Sequence, residues 1–230
     1  DLPTELADGL RVAAVPGRAG AGDVLVSAIA SSVESLPAGA RVGTGSARRR
    51  AQLLYARPDL EIAEIRGNLD TRLKKLDDGQ YDAIVLAEAG MSRLGWQERI
   101  AQVIPKQLML PAVGQGALGI EVRADDEHTI SVVAQLDDPP SHHAVLAERA
   151  MLAGLRAGCL APVGAWARQE KDQLVLEGVV LDGNGTQRLH TTVEGAPNEA
   201  EALGREAAEH LLADGAAELI AASREGAARG

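Results

Sequence analysis

Between residues 41 and 90 the chain repeats one arrangement: a short apolar run, a glycine, a capping residue, then a stretch with helical spacing. "ARVGTG" reads as a strand and "SARRRAQLLYARP" as a helix, with Ser46 as its N-cap and Pro58 as its stop. "EIAEIRG" reads as the next strand, "NLDTRLKKLDDG" as a helix capped by Asn68 and ended by Gly79, and "YDAIVLAEAG" as a buried strand. "MSRLGWQERIAQVI" then reads as a third helix. Strands that alternate with helices imply parallel βαβ units, so residues 20–110 are expected to form one α/β domain.

The flanks have a different pattern. "LRVAAVP" at residues 10–16 reads as a strand, and the "GRAGAG" after it as a pliant connection. In "LMLPAVGQGALGIEVR" glycines and a proline interrupt an apolar run, which marks a crossing segment or a strand approached closely by another group. "DDEHTISVVAQLDD" reads as a helix ending before Pro139 and Pro140, and that proline pair sets a second boundary. Beyond it come a helix over "SHHAVLAERAMLAGLR" with Ser141 as N-cap, then strands "VGAWARQ", "QLVLEGVVLD" and "TQRLHTTVEG". The turns "EKD" and "DGNG" suit an antiparallel meander, and two helices close the chain. Residues 139–230 are therefore expected to be a small α+β domain.

Charge narrows the partners. The 230 residues carry a formal charge of −10, from 33 acidic and 23 basic residues, and hold no Phe and four Trp plus Tyr. That balance disfavours nucleic acid and anionic membranes, and no aromatic platform for stacking bases is visible. No apolar run approaches the roughly 18 residues of a membrane span. The charge is unevenly spread, however: from Arg41 to Lys75 there are nine basic residues against four acidic ones. A local excess of positive charge in an acidic chain points to a focused site for a small anion.

Two helix starts carry that excess. "VGTGSARRR" runs from a strand through glycines into a helix N-terminus, where free backbone N–H groups favour anions and where Arg48 and Arg49 can add bidentate contacts. Neither a G-x-G-x-x-G fingerprint nor a P-loop is present, because Arg48 takes the third glycine's place and no Gly-Lys-Ser/Thr occurs. "IRGNLDTRLKK" repeats the arrangement with Arg66, Asn68 and Arg72. Arginines near a helix N-terminus work against the macrodipole, so their recurrence argues for an anionic ligand over a merely solvated basic face. His142 and His143 are adjacent and directed apart, both are expected at the surface, and no His or Cys pair has metal-ligand spacing, so no metal is expected. The single cysteine, in "LRAGCLAPVGAWA" at residues 155–167, excludes an internal disulfide, so the chain needs no oxidising compartment. By itself a lone cysteine reads as a small buried hydrophobe. Its place between glycines and a proline, past a helix end, offers access and flexibility instead of a lowered thiol pKa.

Taken together, "DLPTEL", "VGTGSARRRAQL", "IRGNLDTRLKKL", "YDAIVLAEAGMSRLG", "LPAVGQGALGIEVR" and "AERAMLAGLRAGCLAPVGAWA" resemble the porphobilinogen deaminase (hydroxymethylbilane synthase) family along essentially the whole chain. The resemblance implies a three-domain α/β architecture: two periplasmic-binding-protein-like α/β domains, then a C-terminal α+β domain with an antiparallel three-stranded sheet. On that likeness residues 1–16 and 117–134 are the remnant of a first domain that is incomplete here, residues 20–110 the anion-binding second domain, and residues 139–230 the third. The chain by itself is then not expected to turn over. The family condenses four porphobilinogen molecules head to tail with release of ammonia, giving the linear tetrapyrrole 1-hydroxymethylbilane for heme biosynthesis. It does so on a dipyrromethane cofactor held by a thioether, which the resemblance places on Cys159. The resemblance also makes Asp1 the catalytic carboxylate and a cofactor contact, and puts Thr44, Ser46, Arg48, Arg49, Arg66 and Arg72 on the motifs that bind acetate and propionate groups. It further implies a cytoplasmic monomer.

The chemistry suits those residue types. Each pyrrole unit brings two carboxylates, which calls for guanidinium groups that stay charged at any working pH. A carboxylate beside the ring N–H can stabilise the positive charge that develops as ammonia leaves, and can manage the proton lost on rearomatisation. "GRAGAGD" departs from the family's usual Asp-Pro-Arg-Asp segment and replaces a stiff connection with a pliant one. Two readings from other classes compete: a non-enzymatic anion-binding module, which leaves the cysteine loop unexplained, and a nucleotide-dependent enzyme, which the absent glycine and lysine weaken.

Overall fold

The computed structural model describes residues 6–158 and 161–228. Three separate sheets organise them. The first is a two-stranded antiparallel ribbon of β1 (Leu10–Ala14) and β7 (Ile120–Arg123), accompanied by α4 (Glu127–Val133). The second has five strands, β2 (Asp23–Ser27), β3 (Arg41–Gly43), β4 (Glu61–Ala63), β5 (Ala83–Ala87) and β6 (Gln102–Val103), in the order β4-β3-β5-β2-β6. The third is the meander β8 (Val163–Glu170), β9 (Gln173–Leu181) and β10 (Arg188–Gly195).

The central sheet is buried on both faces, as a strand run such as "AIVLA" requires. Ala83 and Val85 of β5 join Leu25, Val42 and Leu53 on one side, while Ile84 and Leu86 join Val24, Val26, Leu73 and Met91 on the other. Helices α1 (Ala47–Ala56), α2 (Leu69–Asp77) and α3 (Glu88–Arg93) follow β3, β4 and β5. β3 is parallel to β4 and to β5, in keeping with βα crossovers. β2 departs from the all-parallel expectation, pairing antiparallel with both β5 and β6. The physical reason is its entry: β2 is reached from the β1 ribbon by the segment at residues 15–22, and no helical crossover dictates its direction.

Two helix boundaries also differ from expectation. The third helix starts at Glu88, inside the expected strand, and stops at Arg93 because Gly95 adopts φ 73° and closes the turn onto the Ser92 carbonyl. A 3₁₀ turn at Gln97–Arg99 and edge strand β6 occupy the rest of that segment. Helix α5 (Pro139–Gly154) starts earlier than expected: Asp138, not Ser141, is its N-cap, and the Asp138 carboxylate accepts from the Ser141 backbone N–H at 3.1 Å. The prolines fill the first helical positions, where a missing N–H costs nothing.

α5 packs with α6 (Ala200–Ala213) over one face of the third sheet, around Met151, Leu176, Leu203 and Leu211. Close helix approach is allowed by small residues, since a Cβ on Gly204 would strike the Ala147 carbonyl. α7 (Ala216–Ala228) follows. His142 and His143 are half-buried and not at the surface: the α5 start lies against the end of β1, where Asp137 takes both the Val15 N–H and His142 Nδ1.

The "GRAGAG" connection is fastened along its length, contrary to its pliant reading. The Arg18 guanidinium donates to both carboxylate oxygens of Glu148, at 2.7 and 3.0 Å, and its Nε donates to the Gln115 carbonyl. Fully buried Glu148 also accepts from the Gly114 and Ala167 backbone N–H groups, so its charge is paired and its lone pairs are used. Arg18 thereby joins the connection to α5, β8 and the turn before β7.

Candidate anion site

The site begins where β3 stops. After Gly43 the chain turns through Thr44, whose Oγ1 accepts from the Ser46 N–H, and Gly45, where a Cβ would lie 3.1 Å from the Ile65 carbonyl. Ser46 caps α1 as expected, accepting from the Arg49 N–H. Arg48 and Arg49 then fall in a first turn that has no acidic residue of its own.

Both arginines are buried, at 4% and 8% exposure, and both point at Asp23, the fully buried first residue of β2. Arg48 donates to Asp23 Oδ2 at 2.7 Å, to the Leu110 carbonyl at 2.6 Å and to Gln115 Oε1 at 3.2 Å. Arg49 donates through Nε to Asp23 Oδ1 at 2.8 Å and through Nη1 to the Val85 carbonyl. Gln115 completes the cluster by donating to Asp23 Oδ1 at 3.1 Å. Burial alone would push the Asp23 carboxyl up, but the two guanidinium charges and the hydrogen bonds from Arg48 and Gln115 outweigh it and hold the group below the usual carboxylate range. Burial likewise lowers the Arg49 pKa, and Asp23 offsets this only in part. Two cations share one carboxylate, so the cluster keeps one positive charge uncompensated.

That surplus faces a cavity of about 320 Å³. Arg49 and Arg72 reach it from α1 and α2; Gly67 and Asn68 form its rim at the α2 start, and Leu69, Leu86, Ala87 and Gly90 give it apolar walls. Asn68 caps α2, its side-chain oxygen accepting from the Thr71 N–H at 3.0 Å. Gly67, at φ 118°, turns its carbonyl to accept from Arg72 Nε at 2.7 Å, which fixes the guanidinium at the mouth. A slot with apolar walls and two guanidinium groups at its mouth has the chemistry to take an anionic group borne on an apolar body.

The sequence-derived residues thus divide. Arg49 and Arg72 line the cavity, and Thr44 and Ser46 build the turn that launches α1. Arg48 stands behind, tied to Asp23, Leu110 and Gln115, with its Nε enclosed and without a partner among the described residues. Arg66 is 84% exposed, pairs with Glu64 at 2.6 Å and does not line the cavity. Asp1 and Cys159 lie outside the described residues. Sequence reasoning missed Asp23, Gln115 and Gln52, which donates to the Leu110 carbonyl and accepts from the Leu110 N–H. The available signal was an acidic residue opening the apolar run "VLVS": a carboxylate there is buried with the strand and must find cations.

Comparison with known proteins adds to this geometry. The family model described as "Porphobilinogen deaminase, dipyromethane cofactor binding domain" matches residues 1–131, and "Porphobilinogen deaminase, C-terminal domain" matches residues 142–213. A porphobilinogen deaminase from Desulforudis audaxviator is 49% identical over 227 residues, spanning 99% of this chain and 74% of the relative. One from Thermus thermophilus is 48% identical over 225 residues, spanning 97% of this chain and 75% of the relative. Among solved structures, a putative methionine-binding lipoprotein from Bacillus subtilis is similar at 14% identity and a TM-score of 0.38, over 56% of this chain and 61% of that one.

Proposed function

Because the chain belongs to the porphobilinogen deaminase family, we propose that the cavity between α1, α2 and α3 holds carboxylate side chains of the pyrrole rings on which its reaction runs, with Arg49 and Arg72 as the groups that bind them. The activity is that of hydroxymethylbilane synthase: a transferase that condenses four porphobilinogen molecules, releases ammonia at each step and yields 1-hydroxymethylbilane for tetrapyrrole biosynthesis. The cofactor is a dipyrromethane. When bound, it supplies the pyrrole end to which each new ring is joined.

The residues present fit such a group. Its acetate and propionate arms match Arg49 and Arg72 at the mouth, and its ring faces match the walls formed by Leu69 and Leu86. Arg49 is held in one orientation by Asp23 and the Val85 carbonyl, so its remaining donors are aimed before a ligand arrives. Thr44 and Ser46 keep the α1 amides at the same end. Arg48 acts one layer back: with Asp23 and Gln115 it sets the direction of Arg49 and adds positive charge in a poorly solvated place. Arg66 is read as a further carboxylate-binding group, which a ligand would have to draw away from its exposed ion pair with Glu64. Cys159 is read as the thioether anchor. Asp1 is read as the carboxylate that accepts the ring N–H, steadies the charge as ammonia leaves and takes up the proton lost on coupling.

The same reading treats the β1/β7 ribbon with α4, the five-stranded unit and the residues from 139 onward as three domains. It places the enzyme in the cytoplasm as a monomer. Among the described residues no helix is long and apolar enough to cross a membrane.

The single observation that carries the binding reading is that Arg49 and Arg72, from two different helix starts, line one cavity with apolar walls. The test is the intact mass of the protein isolated from cells. Added mass equal to one dipyrromethane, absent from Cys159→Ser, is expected. An unmodified protein with full deaminase activity would overturn the assignment of Cys159.

A further inference from the structure

Two glycines of the "GRAGAG" strap are unexplained by backbone conformation, since neither Gly20 nor Gly22 has a positive φ. What they share is a neighbour. A Cβ on Gly20 would fall onto the Glu88 carboxylate, and one on Gly22 would lie 2.7 Å from Glu88 Oε2 and 3.1 Å from Lys106 Nζ. Glu88 is the first residue of α3, directly after Ala87 of the cavity wall. It meets Gly22 twice: the Gly22 N–H donates to Glu88 Oε2 at 3.2 Å, and the Glu88 N–H donates to the Gly22 carbonyl at 3.0 Å.

Lys106 completes the arrangement. Burial lowers its pKa, Glu88 and Asp23 raise it in part, and Arg18 and Arg48 press it down again. Its Nζ also lies 5.5 Å from the centre of the Trp166 ring, whose face takes the Arg168 guanidinium at 4.0 Å. The other side of the strap rests on the turn before β7: the Ala19 N–H donates to the Gly116 carbonyl, and Gln115 Nε2 donates to the carbonyls of Ala21 and Gly22. The residue after Gly22 is Asp23, the carboxylate that aims Arg48 and Arg49.

We propose that Glu88 is a positioning residue: its carboxylate, balanced by Lys106, occupies the room left by Gly20 and Gly22, fixes the strap, and through Asp23 fixes the direction of Arg49. The strap is then held by a side chain that needs those two positions empty. The step from Asp23 to ligand binding rests on the reading of the cavity given above; the strap itself does not.

The test combines Glu88→Ala, Glu88→Gln and Gly22→Ala with the double variant Gly22→Ala/Glu88→Ala, each in the full chain. Amide exchange of the segment at residues 17–23 should quicken about tenfold in Glu88→Ala and recover in large part in Glu88→Gln, whose amide oxygen still accepts from Gly22. Gly22→Ala should lower the thermal midpoint when Glu88 is present and do so much less when residue 88 is alanine. Equal damage in both backgrounds overturns the proposal, as does unchanged exchange in Glu88→Ala. For the functional half, Glu88→Ala should raise KM for porphobilinogen severalfold more than it lowers kcat. If Arg49→Leu and Arg72→Leu raise KM while Glu88→Ala does not, the positioning role alone is refuted. If none of the three raises KM, the cavity reading fails first.

Discussion

The starts of α1 and α2 are the same device in sequence and different devices in space. Each follows a strand and a glycine, each is capped by a short polar side chain, and each carries arginine in its first turns. At α1 the arginines are buried and meet Asp23, a carboxylate delivered by a strand 25 residues upstream of Arg48. At α2 the Arg72 side chain donates, among the described residues, to the Gly67 carbonyl alone, and Arg66 stands in solvent with Glu64. The lesson is that a cationic helix start does not reveal whether its charge is structural or available. Burial and an internal counter-ion decide: α1 supplies a rigid, partly neutralised base that carries Arg49, and α2 supplies Arg72, which has no counter-ion among the described residues.

The contrast breaks most visibly at Asp23. Asp23→Ala leaves two buried guanidinium groups without their carboxylate and should cost about 3–5 kcal/mol of unfolding free energy, measured by denaturant titration. The pH dependence of that cost has a fixed sign. The folded Asp23 pKa lies below its ordinary value of 3.8, so its contribution is fully present above that value and is lost as pH falls through the folded pKa. The stability gap between wild type and Asp23→Ala should therefore be flat from neutral pH down to about 4 and shrink only in stronger acid.

Arg72→Leu tests the opposite helix start. It should leave the unfolding midpoint nearly unchanged and raise KM for porphobilinogen about tenfold, the worth of one charge-assisted contact. Asn68→Ala removes the α2 cap and should cost about 1 kcal/mol. Arg66→Leu is the smallest expected effect: within about 0.5 kcal/mol in stability, because its ion pair is exposed. A large stability loss at Arg72, or a negligible one at Asp23, would erase the distinction between the two starts.

Local chemistry was readable without coordinates. Ser46 and Asn68 cap the helices that their spacing announced, and the meander β8–β10 follows from two short polar turns. These depend on residues within a few positions of one another. What could not be read depends on distant partners. The direction of β2 is set by how the chain enters from the ribbon, and the short α3 by Gly95 together with the sheet edge that takes β6. The same limit governed the site. Four arginines stand out by type and place, yet which of them line the cavity depends on Asp23 and Glu64, and neither pairing is marked in the local sequence. The strap is the sharpest case: its glycines looked like freedom and are instead the room taken by Glu88.

The central claim is that Asp23 holds buried Arg48 and Arg49 as a fixed base from which Arg49 reaches the ligand, while Arg72 binds it from the mouth. Its most direct test is the fraction of Arg72→Leu protein that carries dipyrromethane when isolated from cells, read by intact mass alongside wild type. A clearly reduced loaded fraction, in a protein whose unfolding midpoint matches wild type, is the result this account predicts. Full loading with unaltered turnover would contradict it and return Arg72 to a solvated helix face.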